Sequence, residues 1–276
     1  MKKYMDKFRL DNRVIVITGA VGLLGIMHVK AVLEAGGISV MIDIYQEKID
    51  EAIENLKKEY PESEIYGFVA DITDREKVEA VQMQILEQVG HVDGLINNAC
   101  NNPQMQDTKK GVGRFETMTH DEWNQDLAVG LYGAVCCSQV FGETMSKQGG
   151  GVILNIASDL GIIAPNQNLY KCEGLSEEEQ PKKPVTYSAT KWGLIGVTKY
   201  LSTYWADKNV RANAVAFGGV FNFQNVEFLK RVQELIPMGR MAARDEYIGS
   251  IIYLLSDASS YMTGSVVTVD GGRTAW

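Results

Sequence analysis

The sequence predicts a single α/β domain built on a doubly wound parallel sheet of about seven strands, with helices on both faces. Three observations predict it. Short β-branched runs recur along the chain, amphipathic segments alternate with them, and no Pro/Ser-rich linker, repeat or low-complexity stretch divides the 276 residues. A chain of this length is near the upper limit for one core, so composition alone leaves one large domain or two smaller ones. The unbroken alternation favours one domain over residues 1–276.

In chain order the strand runs are 14–18, 38–42, 65–70, 94–97, 152–157, 210–216 and 266–269. Their apolar character without alternation suits strands buried on both faces. Between them, Ile49, Ala52, Ile53 and Leu56 share one helical face, as do Val78, Val81 and Ile85. Thr73 with Glu76 and Thr119 with Glu122 have capping-box spacing and predict helix starts. Residues 162–184 break the rhythm with polar residues, three prolines and one glycine, and predict a long insertion or lid. Within it Ser176 and Glu179 repeat the capping-box spacing, but Pro181 limits any helix to about one turn.

Composition is that of an ordinary globular protein, 45% hydrophobic and 22% charged. Thirty-five acidic against 27 basic residues give a net charge of −8 and a pI near 5.1, which opposes general binding to nucleic acid or an anionic membrane. No run has the length of a membrane span, and MKKYMDKFRLDNR has no apolar signal core, so a cytoplasmic protein is expected. Cys100, Cys136, Cys137 and Cys172 form no CxxC pair, and the three histidines follow no ligand pattern. Buried thiols and no metal are expected.

Two constellations carry chemistry. The first strand runs into TGAVGLLG, which puts Gly19, Gly22 and Gly25 between a strand and an amphipathic helix, where backbone N–H groups can approach a pyrophosphate. Asp43 follows Gly25 by 18 residues at the end of the second strand, where a carboxylate can accept from an adenosine ribose. It would repel a 2′-phosphate, and no Arg or Lys follows at once to neutralise one, so NAD is expected over NADP. In YSATK, Tyr187 and Lys191 are four apart within a helical segment, 188–201, and project from one face. Lowering a phenol by three pK units needs about 4 kcal/mol, the order that an ammonium about 4 Å away supplies at an effective dielectric near 20.

With these motifs the whole chain resembles the short-chain dehydrogenase/reductase family. Further matching pieces are Asp71 with Ile72, NNA at 97–99, Ser158 after VILNIA, Asn213 with Gly218 and Gly219, IPMGRM at 236–241, and TGSVVTVDGG. The resemblance implies a Rossmann fold with Ser158, Tyr187 and Lys191 as catalytic residues. Tyr187 would be the general acid/base, Lys191 would hold the ribose and lower the phenol pKa, and Ser158 would bond the substrate oxygen. Gly19, Gly22, Leu24 and Gly25 would form the pyrophosphate turn. Asp43, Asp71, Ile72, Asn97, Ala99, Gly218 and Val220, with Tyr187 and Lys191, would complete the cofactor site. A mobile substrate flap would lie at about 221–235.

The departures also matter. Cys100 replaces the family's glycine after NNA, Phe217 replaces the proline before Gly218, and Leu23 fills a position that is usually small. Gly130 stands where the family usually has the Asn of a proton relay, which leaves a gap for a water or another side chain. Ser158 and Tyr187 are 29 residues apart because 162–184 intervenes, so the insertion borders the substrate. Its charges, with Lys109, Lys110 and Arg114, point to a polar or anionic substrate.

The spacing of the glycines, Gly130, the insertion and the GGRTAW terminus are together similar to dehydrogenases of flagellin-glycan and nonulosonic sugar pathways. The expected reaction is NAD-dependent interconversion of a secondary alcohol and a ketone on a sugar or sugar phosphate. A 3-oxoacyl-[acyl-carrier-protein] reductase and a non-catalytic nucleotide sensor are the alternatives. The helix at 248–255 and strand at 266–269 resemble the family's subunit surfaces, so a homotetramer or dimer is expected.

Overall fold

Residues 3–102 and 111–276 are described by the structure, a computed structural model; Lys109 and Lys110 lie outside them. The β-branched runs form β1 (Val14–Thr18), β2 (Ile38–Asp43), β3 (Ile65–Val69), β4 (Gly94–Asn97), β5 (Gly151–Ser158), β6 (Val210–Phe217) and β7 (Val266–Val269). All pair in parallel in the order β3-β2-β1-β4-β5-β6-β7. Every residue of β1 is buried, as expected for a central strand covered on both faces. The strand order reverses between β1 and β4, and a crevice forms at such a switch point beyond the strands' carboxyl ends.

The helices are α1 (Gly25–Glu34), α2 (Gln46–Glu59), α3 (Arg75–Gln88), α4 (His120–Leu127), α5 (Gly133–Gln148), α6 (Val185–Tyr204), α7 (Val226–Gln233) and α8 (Ile248–Leu255). Val29 and Val32 of α1 and Ile251, Leu254 and Leu255 of α8 share one core with Ile15, Ile17 and Val215. Val78, Val81 and Ile85 of α3 and Val140, Phe141 and Met145 of α5 share the other with Val14, Val16 and Ile153. The sheet is thus filled from both faces, and its odd and even residues divide between the two cores.

Four local features differ from the sequence expectation. Thr73 does not cap α3, because Asp71 takes both its N–H and its hydroxyl, at 2.9 and 2.7 Å. Asp74 caps instead, accepting from the N–H groups of Glu76 and Lys77. Pro184 precedes the first residue of α6, which starts the helix ahead of Ser188 and puts Tyr187 in its first turn. Strands β2 and β5 each run one residue further, so Asp43 and Ser158 are the last residues of their strands. Cys136 and Cys137 are buried, but Cys100 and Cys172 are half-buried. The box at Thr119 forms as expected, with Glu122 accepting from the Thr119 N–H at 2.8 Å. Among the described residues no helix is long and apolar enough to cross a membrane, and no cluster of three or more His, Cys, Asp or Glu is placed to hold a metal.

Candidate active site

The turn between β1 and α1 requires glycine at two positions. Gly19 has φ +62°, and a Cβ there would lie 2.9 Å from the Cα of Ala99. A Cβ on Gly25 would stand 2.2 Å from the carbonyl oxygen of Gly19, so α1 can rest on the end of β1 only without a side chain. Gly22 is less tight, at 3.2 Å from the same oxygen, and Leu24 packs partly buried on the core. Asn98, the middle residue of the NNA motif, to which no role had been given, holds the turn by donating to the carbonyls of Thr18 and Gly19 at 3.0 Å each. This cradle of bare backbone at a helix N-terminus fits a dinucleotide pyrophosphate.

Around it, Asp43 accepts from the N–H groups of Val21 (3.2 Å) and Ile44 (2.8 Å), which fixes its carboxylate at the end of β2. Asp71 is held by Thr73, and Ile72 is buried beside it. A Cβ on Gly218 would meet the Cα of Asp270 at 2.8 Å, and Val220 bridges to Ala242. Asn97, one of the residues expected in the cofactor site, has its side chain engaged within the protein. Its side chain is 3% exposed and donates to Ser138 (3.0 Å) and Asn155 (2.8 Å), because Asn155 is its register partner in β5. Asn155 in turn donates to Thr198 at 2.8 Å, so this network ties β4 and β5 to α6 beneath the crevice.

Ser158, Tyr187 and Lys191 come together beyond the carboxyl end of β5. Ser158 Oγ donates to Asp159 Oδ1 (2.8 Å) and accepts from the Leu160 N–H (3.2 Å). Asp159 pairs with Arg273 at 3.0 Å, their side chains only 4% and 8% exposed. Lys191, 2% exposed, donates to the Ile156 carbonyl at 2.7 Å. Burial pushes the Tyr187 phenol up, the neighbouring Cys100 thiol adds to this, and a hydrogen bond with Ser158 opposes it. The expected lowering of this pKa is therefore not a property of the protein alone.

Gly130 lies in a π-turn (Ala128–Tyr132) between α4 and α5, and its missing side chain leaves no gap. A Cβ there would lie 2.5 Å from Thr190 Cγ2, so the threonine on α6 fills the place. Thr190 Oγ1 is buried and has no hydrogen-bond partner among the described residues.

The 162–184 insertion is anchored along its length. Gln180 clasps it from within, donating to the carbonyls of Cys172 and Leu175 at 3.0 Å each. Gly111 donates to the Glu179 carbonyl (2.8 Å) and Lys182 to that of Val112 (2.9 Å). Arg114 bonds the Glu177 carbonyl and pairs with Glu116, which ties the loop after β4 to the insertion. On the other side Leu169 packs with Val232, Ile236 and Met241, and Arg231 of α7 donates to the Lys171 carbonyl at 2.6 Å. The 221–235 segment is thus part core and part surface: Val232 is buried while Phe223, at φ +57°, is exposed.

The insertion also delivers a residue that the motifs did not single out. Lys183 is 9% exposed, its Nζ is 4.0 Å from the Tyr187 ring centroid, and it donates to Asn102 Oδ1 at 2.6 Å. Burial pushes this lysine down to about 8, with Cys100 opposing and Lys191 adding. In the sequence, the adjacent Lys182 and Lys183 are indistinguishable; only the turn geometry separates them.

A family model described as short chain dehydrogenase matches residues 13–172, and one described as Enoyl-(Acyl carrier protein) reductase matches 175–274. The 3alpha-hydroxysteroid dehydrogenase of Mediterraneibacter gnavus is 32% identical over 270 residues, 95% of this chain and 97% of that protein. The D-threitol dehydrogenase of Mycolicibacterium smegmatis is 28% identical over 275 residues, 97% of this chain and 95% of that protein. A solved gluconate 5-dehydrogenase from Burkholderia cenocepacia, in complex with NADP and tartrate, has a TM-score of 0.84 at 26% identity, covering 99% of this chain and 100% of that one.

Proposed function

From the premise that this chain belongs to the short-chain dehydrogenase/reductase family and is an NAD(P)-dependent oxidoreductase, we propose that it interconverts a secondary alcohol and a ketone on a polar, sugar-derived substrate, with NAD preferred. The observation that carries this reading is that Ser158, Tyr187 and Lys191 come together at the carboxyl end of β5. The threitol and gluconate dehydrogenases among the relatives support the substrate class.

The bound nicotinamide dinucleotide supplies the hydride acceptor or donor. Tyr187 takes the proton from the substrate hydroxyl during oxidation and returns it during reduction. Ser158, re-aimed from Asp159, donates to the same oxygen as charge builds on it. Lys191 holds ribose hydroxyls and stabilises the phenolate. Asp43 accepts from the adenosine ribose, and its fixed carboxylate supports NAD over NADP. A homo-oligomer, tetramer or dimer, belongs to this reading; Trp192, Tyr200 and Tyr204 are exposed along one face of α6, which supports it.

Initial rates with NAD and NADP over polyols, sugar acids and sugar phosphates test the reading. Turnover with NAD on one of these classes is the expected result, and a preference for NADP contradicts the role given to Asp43.

A further inference from the structure

We infer that Lys183 recognises the substrate, its ammonium binding an anionic group, carboxylate or phosphate, carried close to the carbon whose oxygen meets Tyr187 and Ser158. This rests on the function proposed above and narrows its substrate to an acidic sugar derivative.

The first ground is the state of the lysine. Its neighbour Lys182 is paired with Glu177 at 2.9 Å, but Lys183, more deeply buried, has no carboxylate within ion-pair distance among the described residues. Among the described residues its ammonium makes one hydrogen bond, to the neutral amide of Asn102, and an ammonium has three donors. A buried charge without a counter-ion is costly, and the remaining donors are suited to an oxyanion.

The second ground is preorganisation. Gln167 grips the Lys183 backbone from both sides, accepting its N–H at 2.8 Å and donating to its carbonyl at 3.2 Å. Gly113, at φ +77°, lets the neighbouring loop approach so closely that a Cβ there would lie 2.0 Å from the Lys182 carbonyl oxygen. The backbone that presents the ammonium is therefore fixed before any ligand arrives, as a recognition group requires.

The third ground is the surrounding charge. Asp159 is neutralised by Arg273, and Asp126 accepts from the Thr186 hydroxyl at 2.6 Å. Lys183 and Lys191 then both stand by the Tyr187 ring, at 4.0 and 5.6 Å from its centroid. A site with two lysines on its tyrosine favours an anion over a neutral substrate of the same shape.

The test uses the full-length enzyme loaded with NADH or NADPH, whose fluorescence is titrated with D-gluconate and with glycerol 3-phosphate as separate arms, in wild type, Lys183→Met and Lys183→Arg. The expected result is saturable binding of one anion, weakened at least about 30-fold by Met and partly restored by Arg. The arm that binds identifies carboxylate or phosphate. Steady-state rates on that class and on neutral polyols then separate the roles: loss in KM confined to the anion supports recognition. An equal loss in kcat on both classes, with a shifted pH profile, overturns it in favour of a role on Tyr187 alone. No binding of either anion to the loaded wild type also overturns it, whereas failure to bind either dinucleotide counts against the family-level function instead.

Discussion

Lys191 lies one helical turn beyond Tyr187 in α6, and its ammonium stands 5.6 Å from the centre of the tyrosine ring while bonded to the Ile156 carbonyl. A positive charge about 5–6 Å from a phenolate oxygen, at an effective dielectric near 20, favours the anion by about 3 kcal/mol, or about two pK units. Removing it raises the phenol pKa further above a value that burial already elevates. Lys191→Met therefore lowers alcohol oxidation at neutral pH by about 100-fold, and the loss shrinks as pH rises. A pH–rate profile lowered in parallel at every pH would assign Lys191 to cofactor binding only.

Gly130 in the π-turn and Thr190 on α6 form a tight pair. Gly130→Ala inserts a carbon 2.5 Å from Thr190 Cγ2 and is expected to cost about 1–3 kcal/mol. Adding Thr190→Ser removes the clashing methyl and recovers most of the loss. Denaturant unfolding of the two variants measures both effects; a destabilisation that the serine does not relieve places the strain elsewhere.

Arg273 and Asp159 are a buried ion pair next to Ser158. Arg273→Met leaves the carboxylate unpaired and should destabilise the protein by about 3–5 kcal/mol. Arg273→Met with Asp159→Asn should recover part of this stability. A double-mutant cycle in chemical denaturation measures the coupling, and a coupling near zero contradicts the pairing.

Lys183 titrates near 8 because of burial, facing Cys100 from the loop after β4, Lys191 from α6, Asp159 from beyond β5 and Asp126 from α4. A lowered lysine pKa means that the ammonium is charged below about 8 and lost above it. Binding of an anionic substrate should weaken as pH rises through that value, with KM for neutral polyols flat over the same range. For stability the sign is opposite: holding the buried ammonium charged is a penalty at neutral pH, relieved between about 8 and the ordinary lysine value. The pH dependence of KM in wild type and Lys183→Met checks the first statement, and equal slopes in the two proteins contradict it.

The sheet was legible because parallel strands buried on both faces read as unbroken apolar runs, and because helices such as the one bearing Val78, Val81 and Ile85 keep a clear period. The glycine turn and the Tyr187–Lys191 pair were legible as motifs because each is a fixed local spacing, whereas Ser158, 29 residues before Tyr187, came only from the family resemblance. Asn97 was not: whether its amide faces a ribose or Asn155 depends on pairing between β4 and β5, which no local pattern records. Asn98, Asp159 with Arg273, and Lys183 share that difficulty. Each acts across a large separation in sequence, 114 residues for Asp159 and Arg273, and the partner is fixed only when the chain has folded. At Gly130 the sequence left open a water or another side chain, and Thr190 from another helix decides it, which again no local pattern records.

The measurement that tests the central claim most directly is dinucleotide reduction by wild type and Tyr187→Phe on the best substrate of the polyol, sugar-acid and sugar-phosphate panel, with cofactor binding measured in both. The account predicts that the single hydroxyl removes turnover by about 100-fold or more while dinucleotide affinity stays within a few-fold. Turnover that survives in Tyr187→Phe, with cofactor still bound, would contradict it and move the proton to another group.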